Sequence, residues 1–174
     1  AGLVGHWTFN EGSGTVSTGD RSGFGNTGFL TNAPTWTNGI IGGALKFNGL
    51  TNFVNVGSNI NFSAGSSLSI SAWVRLQTNA GSVFMGIIAK RPVSAVYQFG
   101  LNFNNTTFQV YTLGGSGVQQ FSYVLPTNVW THIVGVFSAT SATLLYTNGV
   151  LLGVLGSGGG VSGHAAAGRG PGQR

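Results

Sequence analysis

Apolar residues in this chain recur at every second position over many short runs, and no segment shows the 3.6-residue period of an amphipathic helix. The alternation predicts strands over 3–9 (LVGHWTF), 44–48, 52–56 and 68–76 (LSISAWVRL). It predicts further strands over 83–90, 96–103, 106–113 and 118–125, then over 130–139, 142–147 and 150–155. Asn148 and Gly149 sit between the last two runs. Both central residues of a type I′ turn need positive φ, which Asn and Gly tolerate, so this pair predicts a tight hairpin. Many evenly spaced strands imply an all-β fold, a two-sheet antiparallel jelly-roll sandwich. The 31 glycines, with abundant Ser, Thr and Asn, supply the turns that such a fold needs.

Two stretches depart from the pattern. Residues 10–43 are rich in Gly, Ser, Thr and Asn, and read as a long ordered loop around a short strand near Gly28–Thr31. Residues 156–174 (GSGGGVSGHAAAGRGPGQR) lose the alternation and almost all bulky side chains. That composition reads as a linker or disordered tail after a domain spanning 1–155.

The formal charge is +5, from seven basic residues against two acids, Glu11 and Asp20. The basic residues are scattered, whereas a nucleic-acid binder concentrates them in a stripe, so nucleic acid is not an expected partner. There is no cysteine, which excludes disulfides, thiolate nucleophiles and cysteine-bound zinc. No apolar run approaches the roughly 20 residues that span a bilayer as a helix, so no membrane insertion is expected. The chain opens at Ala1 without a signal-peptide pattern, as a processed or excised terminus would.

Six stretches, in order, resemble the bacterial laminin-G-like domains of the concanavalin A-like lectin/glucanase superfamily. Gly2-Leu3-Val4-Gly5-His6-Trp7-Thr8-Phe9-Asn10-Glu11-Gly12-Ser13-Gly14 is similar to the family's opening. Asp20-Arg21-Ser22-Gly23-Phe24-Gly25-Asn26-Thr27-Gly28 is similar to its Asp-x-Ser-Gly loop, and Gly43-Ala44-Leu45-Lys46-Phe47-Asn48-Gly49 with Phe53-Val54 to the segment that follows. Leu68–Val74, Trp130–Phe137 and Tyr146–Gly149 resemble its central strand, its Trp-x-His strand and the next hairpin. The resemblance covers residues 2–155 and implies the jelly-roll fold. It also implies that most of Trp7, Trp36, Trp73 and Trp130 lie in the core. Family members continue past the hairpin to a final apolar strand. Here the 156–174 tail stands in that place, which would leave a sheet edge open to self-association.

The chemistry narrows in the same way. Both standard glycosidase mechanisms need two carboxyl groups flanking the bond, and only Glu11 and Asp20 exist to supply them. Both fall in the opening motifs, where structural roles explain them better. A polysaccharide lyase would draw on His6, His132, Gln119, Gln120 and Tyr123, but no lyase motif joins them. Histidines beside tryptophans read as structural. The resemblance implies one structural Ca2+ held by Asp20, with Asn48 and Asn52 where relatives carry Asp. Calcium wants six to eight oxygens, and a single carboxylate is a poor donor set. Three matches to glycosylation acceptors, at Asn61, Asn104 and Asn105, are expected by chance in so Asn-rich a chain.

Alternation sorts the strand residues by face. In 68–76 one face holds Leu68, Ile70, Ala72, Val74 and Leu76, the other Ser69, Ser71, Trp73 and Arg75. In 96–103, Tyr97, Phe99, Leu101 and Phe103 face inward, and Gln98, Gly100 and Asn102 outward; in 106–113, Gln109 and Tyr111 face outward. If these strands are neighbours, Trp73, Arg75, Gln98, Asn102, Gln109 and Tyr111 form one concave, partly aromatic face suited to a neutral or acidic glycan. The sequence therefore predicts a non-catalytic carbohydrate-binding or adhesion module of a secreted or cell-surface protein. The alternatives are a self-assembling extracellular protein completed by strand exchange, and a lyase or hydrolase.

Overall fold

The computed structural model of this chain describes residues 2–62, 66–78, 85–90, 99–103, 107–111, 118–138 and 142–155. Among them are thirteen strands and no helix. The strands pair antiparallel throughout. The chain divides into two compact units, Ala1–Phe62 and Ser63–Arg174, with a boundary inside the 1–155 span. The tail 156–174 lies outside the described residues.

The N-terminal unit contains β1 (Ser17–Thr18), β2 (Gly28–Thr31), β3 (Thr35–Asn38), β4 (Gly43–Lys46) and β5 (Phe53–Asn55). One sheet runs β1-β2-β5 and a hairpin pairs β3 with β4. On the inward face of the first sheet, a Cβ at Gly28 would lie 2.6 Å from Val54 and 2.8 Å from Thr18. Only glycine lets those two side chains close over β2. Sequence periodicity is a poor guide here. Residues 3–9 form no strand, and Trp7 alone bridges to Asp20. Phe9, at φ 54°, has left the extended region, which stops the run. β1 and β3 fall inside the stretch read as loop. β1 (Ser-Thr) has no apolar side chain and β3 (Thr-Trp-Thr-Asn) has one, so neither gives an alternation to read.

The C-terminal unit is built of two four-stranded sheets. The first holds β6 (Leu68–Arg75), β11 (Trp130–Phe137), β12 (Thr143–Thr147) and β13 (Val150–Leu155), in the order β13-β12-β11-β6. The second holds β7 (Met85–Lys90), β8 (Phe99–Phe103), β9 (Thr107–Tyr111) and β10 (Val118–Ser122), in the order β10-β9-β8-β7. Ile70, Ile133, Phe137 and Leu145 of the first sheet are buried, as are Leu101, Phe103, Phe108 and Phe121 of the second. Two glycines show that these faces meet. A Cβ at Gly135 in β11 would reach Leu101 of β8 at 4.0 Å, and one at Gly153 in β13 would strike the Phe121 ring of β10 at 2.8 Å. Aromatic contacts extend the core, with Phe108 centred 5.7 Å from Phe103 and 5.7 Å from Tyr123.

β11 reads as strict alternation, with Thr131, Ile133, Gly135 and Phe137 buried and Trp130, His132, Val134 and Val136 half-buried on the other face. The predicted hairpin is present. Asn148 (φ 50°) and Gly149 (φ 80°) both adopt positive φ between β12 and β13. A register shift at Leu145/Tyr146 leaves Leu152 as the extra residue of a bulge, so Leu151 and Val154 both point outward and are exposed.

Inner and outer residues of the same sheet should therefore respond differently to truncation. Leu145→Ala, at a fully buried position, is expected to cost about 2–5 kcal/mol of unfolding free energy. Leu151→Ala on the outer face is expected to cost no more than about 0.5 kcal/mol. Urea midpoints at unchanged slope check both values.

Candidate functional site

The six residues expected to share one glycan-binding face do not share a sheet. Trp73 and Arg75 are on β6, whereas Asn102 is on β8 and Gln109 and Tyr111 are on β9, in the opposite sheet. β6 pairs with β11, and β8 pairs with β7 and β9. In a two-sheet sandwich the outer faces point away from each other, so the composite face is not formed. Asn102 and Gln109 are cross-strand partners, and Tyr111 stands opposite Gly100 in the backbone ladder. Gln98 lies outside the described residues. Asn102, expected outward, is buried at 6% exposure on a strand flanked by Gly86 and Gln109. Alternation reports which way a side chain points and not what covers it.

Around Trp73 and Arg75 the pairing assembles a different group. The β6–β11 ladder sets Trp73 opposite His132, Arg75 opposite Trp130, and Ser71 opposite Val134. Val134 is in turn opposite Tyr146 of β12. All of these belong to the outer face, because their neighbours Ile70, Thr131, Ile133 and Leu145 are buried inward. Trp73 is 44% exposed and its ring lies 4.9 Å from that of His132, tilted by 32°. Ser71 Oγ and His132 Nε2 share a hydrogen bond of 2.7 Å. The main chain of His132 is held as well. Its N–H donates to Asn148 Oδ1 at 2.9 Å, and its carbonyl accepts from the Asn148 N–H at 2.8 Å. The hairpin turn thus clamps the strand residue against which the exposed indole rests. The resemblance placed most tryptophans in the core, but none of the four is buried.

This arrangement brings together groups that can bind a ligand. It offers a ring face for the C–H surface of a sugar, an imidazole and a hydroxyl at fixed separation, and an exposed guanidinium. His132, Trp130 and Tyr146 escaped the sequence reading as site members. Alternation already put Trp130 and His132 on one face of their strand, but only the pairing of β6 with β11 places them beside Trp73.

The two carboxylates lie in the N-terminal unit and are committed to structure. Asp20 Oδ1 accepts from the N–H groups of His6 and Ser22, each at 2.9 Å. Its Oδ2 accepts from Ser22 Oγ at 2.7 Å and from the Asn26 N–H at 3.0 Å. Asn26 in turn donates to the Val4 carbonyl and accepts from the Trp7 indole N–H, which ties the opening segment to the loop. Burial opposes ionisation of Asp20, but these hydrogen bonds outweigh it and bring its pKa from 3.8 to about 2. Burial also opposes ionisation of Glu11. It is outweighed by the amides of Gly19 and Glu11, the neighbouring Thr18 hydroxyl and the charge of Arg21, so the carboxyl sits below its usual value. The Thr18 hydroxyl lies beside Glu11 without completing a hydrogen bond, and Glu11 Oε2 is left unpaired.

Asp20, Asn48 and Asn52 do not fit a calcium cradle. Asn48 Oδ1 accepts from the N–H groups of Leu50, Thr51 and Asn52, and Asn52 Oδ1 accepts from the Asn48 N–H. The Asn52 amide donates to the Asn32 carbonyl. This is a self-satisfied loop, and it shares no hydrogen-bonded residue with the Asp20 network. The oxygens that would meet a cation already face N–H and O–H donors. An open cleft in the same unit is lined by Thr27, Phe29, Asn55 and Asn59 and holds no charged side chain.

Comparison with known proteins adds the family context. The laminin-G-type family model described as the concanavalin A-like lectin/glucanases superfamily matches residues 47–172. That span takes in every residue of the Trp73 face and reaches into the tail segment. Domain 4 of AbnA, a GH43 extracellular arabinanase from Geobacillus stearothermophilus solved with arabinotriose, is similar at a TM-score of 0.64 and 22% identity, over 90% of this chain and 76% of that one. The binding domain of Paraclostridial Mosquitocidal Protein 1 is similar at 0.67 and 16%, over 89% of this chain and 40% of that one. At these identities the likeness establishes the fold, a concanavalin A-like jelly roll. No curated protein matches by sequence.

The carboxylate network makes acid stability a direct test. A pKa lowered on folding stabilises the folded chain above the unfolded value, and the contribution is lost as pH falls through the folded one. Urea midpoints are expected to decline as pH drops from 3.8 towards about 2, the Asp20 interval. Asp20→Asn should flatten that decline and lower the midpoint at neutral pH. Calcium in place of EDTA should leave the neutral-pH midpoint unchanged.

Proposed function

Since this chain belongs to the concanavalin A-like lectin/glucanases superfamily, we propose that it is a non-catalytic carbohydrate-binding or adhesion module of a secreted or cell-surface protein. Glycan binds on the outer face of the β6–β11–β12 sheet. The observation that carries this reading is the half-exposed Trp73 indole, braced by His132, which Ser71 and Asn148 hold in place. A large aromatic ring kept in water by a rigid support is the usual platform for a sugar ring, and rigidity limits the entropy lost on binding. Two similar folds point the same way: an arabinanase domain solved with arabinotriose and the binding domain of a mosquitocidal protein. The first of these belongs to an extracellular enzyme, which supports the secreted or surface location. Among the described residues no helix is long and apolar enough to cross a membrane.

The chemistry of the acids supports binding over hydrolysis. A glycosidase needs one carboxyl group kept protonated as proton donor and a second ionised. The only two in the chain are Glu11 and Asp20, and both are held below their usual values. Neither is set up to donate a proton at neutral pH.

Retardation of the native protein through gels containing a panel of neutral and acidic polysaccharides tests this reading. One polymer of the panel is expected to retard it, and Trp73→Ala should weaken that retention about tenfold or more. Phe29→Ala, in the cleft of the N-terminal unit, should leave it unchanged. Loss with Phe29→Ala and not with Trp73→Ala would move the site to that cleft. Release of new reducing or unsaturated ends from the retained polymer would make the protein an enzyme.

A further inference from the structure

The +5 charge of this chain is confined to one of its units. Ala1–Phe62 holds Arg21 and Lys46 against Glu11 and Asp20, and is neutral. Ser63–Arg174 holds Arg75, Lys90, Arg91, Arg169 and Arg174 with no Asp or Glu, and carries the whole excess. Of these five, Arg75 lies on the Trp73 face. It is exposed at the end of β6, two residues from Trp73 on the same side of the strand, and directly opposite Trp130. Its own unit supplies no side-chain carboxylate to neutralise it. The two carboxylates elsewhere in the chain are engaged by their own neighbours, Glu11 by Gly19 and Asp20 by His6, Ser22 and Asn26. The guanidinium is a planar fork that matches carboxylate or sulfate through two parallel hydrogen bonds.

We propose that this face selects an anionic glycan, a polysaccharide bearing carboxylate or sulfate groups, in which Arg75 meets the anion while Trp73 carries the sugar ring. The selection rests on the carbohydrate-binding reading above and names the ligand class of the same face. An array of like charges would draw in any polyanion. A single guanidinium two residues along the strand from an exposed indole, and opposite a second Trp in the ladder, recognises an anion at a limited distance from a ring.

The test must separate recognition at Arg75 from the general attraction between a basic protein and a polyanion. Wild type, Arg75→Gln, Lys46→Gln and Trp73→Ala are run through gels containing polygalacturonate, a sulfated galactan, neutral arabinan or neutral dextran at one ionic strength. Lys46 is exposed on β4 and is not part of the sheet that carries the face, so its substitution removes the same charge without altering a residue of the face. Polygalacturonate or the sulfated galactan is expected to retard wild type more than either neutral polymer does, and which of the two identifies the anion. Arg75→Gln should weaken that retention about tenfold or more. Lys46→Gln should change it by no more than about twofold. Equal losses with Arg75→Gln and Lys46→Gln would reduce the effect to net charge and overturn the inference. Retention by a neutral polymer alone, lost with Trp73→Ala and kept with Arg75→Gln, would overturn anion selection while leaving the carbohydrate-binding face intact. No retention by any polymer would overturn both.

Discussion

β6 and β11 pair over eight residues each, from Leu68 opposite Phe137 to Arg75 opposite Trp130. This ladder does two jobs at once because a strand's side chains alternate between faces. On one face it brings Ile70, Ile133 and Phe137 into the core against the second sheet. On the other it brings Trp73 beside His132 and Arg75 beside Trp130. A slip of one residue would exchange the two sets, burying Arg75 and exposing Ile133. The register that the core demands is therefore the register that builds the site. The Asn148-Gly149 turn adds a second constraint, because its backbone and side chain bond to His132 at the middle of the face.

The two units divide the chemistry of the chain. The N-terminal unit keeps both acids and spends them on loop structure. The Asp20 carboxylate gathers three backbone N–H groups and one hydroxyl, and Glu11 holds the Gly19 amide. Of the four carboxylate oxygens, only Glu11 Oε2 has no hydrogen-bond partner. The C-terminal unit has no Asp or Glu in its sequence, so all of the chain's +5 excess falls within it. Arg75 thus has no side-chain carboxylate within its own unit, and it shares the outer face of β6 with Trp73.

Legibility from sequence followed element length and partner distance. The strands of eight residues, β6 and β11, and the Asn148-Gly149 hairpin are all readable, since long alternation and a turn with one permitted chemistry are local signals. β1 and β3 are not, because between them they hold a single apolar side chain, Trp36. The 3–9 run reads as a strand but bridges another segment only at Trp7. The site was half legible. Trp73 and Arg75 are legible as outward-facing residues of β6, and both lie on the candidate face. Asn102, Gln109 and Tyr111 would join them only if their strands were neighbours of β6. The chain instead crosses to the other sheet after β6 and returns with β11, so the true neighbours of Trp73 are nearly sixty residues away in sequence.

The amino-acid order alone settled the fold class, the faces of the long strands, the hairpin and the shortage of carboxylates that weighs against glycoside hydrolysis. Each of these depends on residue type or on spacing within a few positions. Which strands lie side by side was decided in three dimensions, and with it the membership of the site. Strand adjacency is set by how two whole sheets bury their apolar faces together, a property of all the strands at once that no local window of sequence contains.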